Sequence, residues 1–182
     1  MDDLQRIERK PLSDSDLRHI LGNGTKIIEY SELASVPSLS HLLPKPTDSC
    51  IILYETKQNS GHWTALLRYR NIFEFFDPYG LVPDKELLWV PAQKRKLLNQ
   101  SEPYLTHLLE RSGSQWIYNK RRFEKMNSTI NTCGHHCAHR IYQLAHRNLD
   151  LKDYIEFMDH LKSQTGHTYD IIVSDFVEDF GI

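Results

Sequence analysis

Cys133 is followed by Gly134 and preceded by a polar stretch, residues 127–132. Beyond it, Cys137, Ile141 and Leu144 recur at helical spacing, so the pattern predicts a helix over residues 133–146 with the thiol in its first turn. Unpaired backbone N–H groups and the positive end of the helix dipole at such a terminus favour a thiolate. The same N–H groups can donate to the oxyanion formed when sulfur attacks a carbonyl. Gly134 removes a side chain where a substrate must approach. A free cysteine is most often a buried structural thiol, so the assignment depends on whether a base and a group to orient it are present.

His62, in Gly61-His62-Trp63, opens one apolar run, and Asp77, in Phe76-Asp77-Pro78-Tyr79-Gly80, closes the next. Arg70-Asn71 joins the runs as a tight turn, so they form a hairpin and bring both residues to its open end. Counted outward from the turn, His62 lies slightly farther along than Asp77, a mismatch that a bulge can absorb. A carboxylate there can fix the imidazole tautomer and stabilise its protonated form. The blander alternatives are a hydrogen-bonded surface histidine and a plain Asp-Pro-Tyr-Gly turn.

Together, Gly61-His62-Trp63, Phe75-Phe76-Asp77-Pro78-Tyr79-Gly80 and Thr132-Cys133-Gly134 resemble the three blocks of the adenovirus-protease/Ulp1 cysteine protease superfamily, in its order of His, acid, Cys. Chain length and the Asp-Pro-Tyr-Gly block are most similar to viral maturation proteases, including those of virophages and large DNA transposons. The motifs cover residues 61–80 and 125–142; elsewhere the likeness is one of element order.

The resemblance implies a mixed sheet of about five strands with the nucleophile at the N-terminus of a central helix packed on it. It implies peptide-bond hydrolysis through an acyl-enzyme, often after small residues such as Gly, with viral capsid or core precursors as substrates. Cys133 is then the nucleophile, His62 the base and Asp77 its orienter, and Trp63 packs beside the site. The family's oxyanion Gln is replaced here by Asn127, whose amide sits on a shorter stem. Loss of one oxyanion donor costs roughly 10²–10³ in rate, so either Asn127 reaches the hole or another donor serves. No metal or organic cofactor is implied, and nothing supports carrying over the peptide and DNA activators of the adenovirus enzyme.

Three other readings compete. Cys133, His135, His136, Cys137 and His139 are metal-ligand types, but a structural zinc site needs four convergent ligands, and His135 and His136 leave the helix face that Cys133 and Cys137 share. A protease-like module could bind a ubiquitin-like tail or a capsid protein without cutting it. A deconjugating protease for ubiquitin-like modifiers would have the same centre.

Around these residues the chain reads as α+β. Ser13 or Asp14 caps a helix ending near Leu21, before Gly22. Residues 26–30 are extended, 36–48 form a proline-containing loop, and 50–55, 63–69 and 72–76 are strands. Residues 93–109 are helical but broken at Pro103, 154–161 are helical, and 171–173 are a last strand or part of a terminal helix.

The chain has 182 residues, 40% hydrophobic and 25% charged, which suits one globular domain over 1–182 with a loose arm at 1–11. A net charge of −2 supplies no global basic field, so nucleic acid is weakly supported despite basic clusters at 94–96 and 120–122. Three cysteines are too few for a disulfide framework and point to a reducing compartment. No leader or membrane-length apolar run is evident. The expectation is a monomer in the virion and the host cytoplasm or nucleus, not secreted.

Overall fold

In the computed structural model, residues 10–127 and 129–182 are described. The arm expected over 1–11 therefore lies, except for Lys10 and Pro11, outside the described residues. The elements are α1 (Asp14–Leu21), β1 (Lys26–Glu29), β2 (Ser49–Lys57), β3 (Ser60–Tyr69), β4 (Ile72–Phe76), α2 (Ala92–Leu97), α3 (Tyr104–Arg111), β5 (Trp116–Tyr118), α4 (Cys133–Arg147), α5 (Leu151–Thr165) and α6 (Tyr169–Glu178). Short 3₁₀ turns at Tyr30–Ser35, Leu39–His41 and Lys85–Trp89 fill the connections.

The sheet has five strands in the order β1-β2-β3-β4-β5. Its central pairs, β2–β3 and β3–β4, are antiparallel; its outer pairs, β1–β2 and β4–β5, are parallel. It is a mixed sheet flanked by helices, as expected. The β3–β4 turn places Tyr69 opposite Ile72, with Arg70 and Asn71 both in the left-handed region (φ 49° and 62°). That is the conformation a two-residue hairpin needs to match strand twist.

Side-chain alternation along the strands divides the core into two layers. Ile51, Leu53, Trp63, Ala65 and Leu67 face α1, α4, α5 and α6. Cys50, Ile52, Tyr54 and Leu66 face the other way, against Tyr30, Leu33 and α3. The continuous apolarity of 50–55 follows from burial of both faces.

α4 is enclosed, with residues 133–141 all buried. Its polar face is held by a bidentate pair in which Arg140 Nε and Nη2 donate to the Glu74 carboxylate of β4 at 2.8 and 2.7 Å, both side chains fully buried. Tyr69 Oη donates to the same carboxylate at 2.7 Å, and Arg140 Nη1 donates to Leu149 O. This network fixes the helix against the sheet.

Two sequence expectations resolve. Pro103 separates α2 from α3, and residues 171–173 belong to α6 rather than to a strand. Thr168 caps α6 through the Ile171 N–H, a local signal that favours helix there.

Candidate active site

Cys133 is the first residue of α4, next to its N-cap Thr132. Sγ of Cys133, a ring nitrogen of His62 and a carboxylate oxygen of Glu124 lie within 4.8 Å of one another. His62 Nε2 donates to Asp77 Oδ1 at 2.9 Å, which leaves Nδ1 for the thiol. His62, Asp77 and Cys133 are thus brought together from a strand, a turn and a helix terminus, all buried.

The glycines of the three motif blocks explain why the segments come this close. A Cβ on Gly61 would lie 1.8 Å from Tyr54 O, inside the β2 backbone. Gly80 has φ +74°, and a Cβ there would press on the Arg121 backbone at 2.9 Å. A Cβ on Gly134 would crowd Leu12 and Trp63 at 3.1 and 3.2 Å.

The offset between His62 and Asp77 is not absorbed by a bulge between β3 and β4. Their pairing runs in register to Ala65–Phe76 and stops, and the only irregularity among these strands lies between β2 and β3, at Glu55 and Lys57. Instead the chain turns after Phe76, and Gly80 N donates to Asp77 O at 2.7 Å. Asp77 Oδ1 also accepts from Tyr79 N, and Oδ2 accepts from Leu81 N. The Tyr79 ring stacks on His62 with centroids 4.3 Å apart and planes 11° from parallel. The turn therefore both anchors the carboxylate and walls the imidazole.

Asn119, to which the sequence reading assigns no role, clamps this turn. Its Oδ1 accepts from Asp77 N at 2.8 Å, and its Nδ2 donates to Asp77 O and Arg121 O. Farther on, the Phe123 and Glu124 N–H groups both donate to Pro78 O. Segment 119–124 is strapped to the turn and delivers Glu124 to the His62–Cys133 pair.

Glu86 and Glu124 are acids that sequence reasoning missed. Glu86 Oε1 lies 3.1 Å from His62 Nε2, and both its oxygens are buried without a protein donor. Burial, then the adjacent Asp77 charge, pushes its carboxyl well above the usual range. The uncharged form of Glu86 is thus favoured, and in that form it can donate to Asp77. Glu124 Oε1 accepts from Thr132 N at 3.1 Å, whereas Oε2 is buried with no partner. Burial, then Asp170, pushes its pKa up to about 8. Neither acid sits in a motif with a chemical signature; each is a lone Glu that the fold carries inward.

The Cys133 thiol is also pushed well up, first by burial and then by Glu124, against the pull of the Trp63 and Gly134 N–H groups. The backbone N–H groups act in the direction expected of a helix terminus, but burial outweighs them. A helix end contributes at most about 2 kcal/mol, less than the several kcal/mol needed to desolvate an anion. The protonated thiol is thus favoured, and a reaction at Cys133 would need a base to take its proton, for which the His62 ring is the group in place.

Trp63 lies beside Cys133, and its Nε1 donates to Leu12 O at 3.1 Å. This pins the segment before α1 along a cleft of about 430 Å³ lined by Leu12, Gly61, Trp63, Asn131 and Cys133. Asn127 is elsewhere: it is exposed, and its Oδ1 accepts from Thr129 N and Oγ1 at 3.1 Å. Its carbonyl oxygen is engaged in a local turn, and Asn127 is not among the residues that line the cleft.

The histidines of the rival zinc reading diverge. His136 Nε2 pairs with Asp170 Oδ1, and His139 Nδ1 with the Tyr154 hydroxyl. Burial holds His135 and His139 neutral, lowered to about 3. Among the described residues, the close-set trios of possible metal donors are His62–Glu124–Cys133 and His62–Asp77–Glu86, both built on one imidazole and neither including His135, His136, Cys137 or His139.

Taken together, the fold and site define an α+β protein with a buried thiol–imidazole–carboxylate group at a helix terminus. No family model matches the chain. It is 33% identical over 175 residues to uncharacterized protein V9 of Sputnik virophage, covering 96% of this chain and 98% of that one. The chain belongs to the family of this viral protein. Among solved structures it is similar to the central domain of uncharacterized Lpg1148 protein from Legionella pneumophila, with TM-score 0.46 and 13% identity over 94% of this chain and 98% of that one. Among the described residues no helix is long and apolar enough to cross a membrane.

Proposed function

We propose that the protein is a cysteine endopeptidase that cleaves viral capsid or core precursors after small residues such as Gly. The observation that carries this reading is the approach of Cys133 Sγ to the His62 imidazole, whose far nitrogen donates to Asp77. Cys133 attacks the scissile carbonyl carbon while His62 takes the thiol proton. The tetrahedral intermediate collapses to a thioester, and His62 passes the proton to the departing amine. Water then attacks the thioester, again with His62 as base, and releases the acid product and free thiol. Asp77 holds the imidazole and stabilises its cationic form.

Supporting the reading, the kinship to a virophage protein agrees with a viral substrate, and the cleft beside Cys133 is of a size that admits a peptide segment. The arrangement also admits a deconjugase for ubiquitin-like modifiers, since the chemistry is the same.

A thiol-alkylating probe tests the proposal. Iodoacetamide labels Cys133, which lines the cleft and is 7% exposed, in preference to Cys50 and Cys137, which are 0% exposed, and His62→Ala removes the preference. Equal labelling of the three thiols, or labelling of Cys133 indifferent to His62, excludes the mechanism.

A further inference from the structure

Glu124 is 1% exposed, yet Oε2 has no hydrogen-bond partner while Oε1 is tied to Thr132 N. A buried carboxyl oxygen without a partner is unfavourable, and this carboxyl brings an oxygen within 4.8 Å of both Cys133 Sγ and the His62 ring. Its backbone is fixed by the bond from Glu124 N to Pro78 O at 3.0 Å. The carboxyl is thus held in place at the reacting sulfur, with no structural bond to account for its Oε2. Asn127, the amide expected to serve the oxyanion, is exposed and is not among the residues lining the cleft.

We propose that Glu124, as the neutral carboxylic acid, donates its O–H hydrogen bond to the oxyanion formed when Cys133 attacks a carbonyl. This rests on the peptidase reading and assigns that site its missing donor. An ionised Glu124 would repel both a thiolate and an oxyanion, so only the protonated form suits the chemistry. The charged acids facing it work in that direction, Asp170 on α6 and Asp77 after β4; Glu86 on the 3₁₀ turn is itself favoured in its uncharged form and adds no charge. The other titratable groups around it are Cys133, His62 and Tyr79. The proton stays on Glu124 throughout: it stabilises charge and is not transferred.

Two reactions at the same sulfur separate this role from packing. Acylation by p-nitrophenyl acetate passes through an oxyanion, and alkylation by iodoacetamide does not. Glu124→Ala is expected to slow the acylation burst roughly 100-fold while alkylation stays within about threefold of wild type. Glu124→Gln, which keeps an uncharged donor at every pH, restores most of the burst. It also sustains acylation above the pH of about 8 at which the wild-type acid ionises. Unchanged acylation in Glu124→Ala overturns the assignment. So does equal loss in the Ala and Gln variants with native circular dichroism, or a parallel fall in alkylation. If the wild type forms no acyl-enzyme at Cys133, the peptidase reading fails and takes this role with it; if it does and Glu124→Ala matches it, only the role of Glu124 falls.

Discussion

Asn119 and Asp77 are joined by two reciprocal hydrogen bonds, Asp77 N to Asn119 Oδ1 at 2.8 Å and Asn119 Nδ2 to Asp77 O at 2.6 Å. The side chain mimics a strand partner just where β4 ends, so the carboxylate that holds His62 sits on a fixed backbone. Asn119→Ala leaves the buried Asp77 N–H without its partner, at a cost of about 1–3 kcal/mol, while Asp77 O keeps its bond from Gly80 N. The expected result is a lower urea midpoint together with slower peptide or ester turnover. A variant with wild-type stability and rate would show that the clamp does not position Asp77.

The Arg140–Glu74 pair sets the orientation of α4, and with it Cys133. Removing one partner strands a buried charge, so Arg140→Ala should lose about 3–5 kcal/mol in denaturant unfolding. The double variant Arg140→Met with Glu74→Leu removes both charges and is expected to recover much of that loss. Equal stability of Arg140→Ala and wild type would contradict the packing argument.

Gly61 has no room for a methyl group, because Tyr54 O already occupies the position. Gly61→Ala must push β3 off β2 immediately before His62. Overpacking of this kind costs typically 1–3 kcal/mol and more where backbone is the obstacle. Gly113 is a stringent control, since its φ of +63°, unlike that of Gly61, itself strains an alanine, yet nothing lies within 4 Å of its Cβ position. Thermal unfolding should drop far more for Gly61→Ala than for Gly113→Ala; similar drops would contradict the clash.

Stability should fall as pH rises across the range set by Glu124. Its folded-state pKa is raised from 4.5 to about 8, so the native state keeps a proton that the unfolded chain has released. Unfolding stability therefore decreases with pH in that window, being fully present below it and lost as the folded acid ionises. Glu86 acts in the same sense. Melting temperatures measured from about pH 5 to about pH 9 should decline less in Glu124→Gln than in wild type. Parallel curves would show that Glu124 is not held protonated.

Much of this site is legible in the residue order. The hairpin turn at Arg70-Asn71, the apolar runs of β2 to β4 and the polar lead into α4 are local signals, and each formed as its pattern implies. Those signals bring His62, Asp77 and Cys133 together because turn, strand and cap chemistry act over a few residues. β5 escaped notice because Trp116–Tyr118 is too short for an alternation to register. Glu86, Asn119 and Glu124 escaped because their roles arise from long-range contacts: an Asn side chain bonding a backbone 42 positions away carries no sequence period. Asn127 shows the converse. It stands where a motif suggests an amide, yet a neighbouring Thr129 captures it locally.

The measurement closest to the heart of the account is N-terminal sequencing of the structural proteins encoded in the same genome after incubation with wild-type protein, Cys133→Ala and His62→Ala. New N-termini following small residues are expected with the wild type alone. The same termini produced by Cys133→Ala at a comparable rate would contradict the assignment of that thiol as nucleophile.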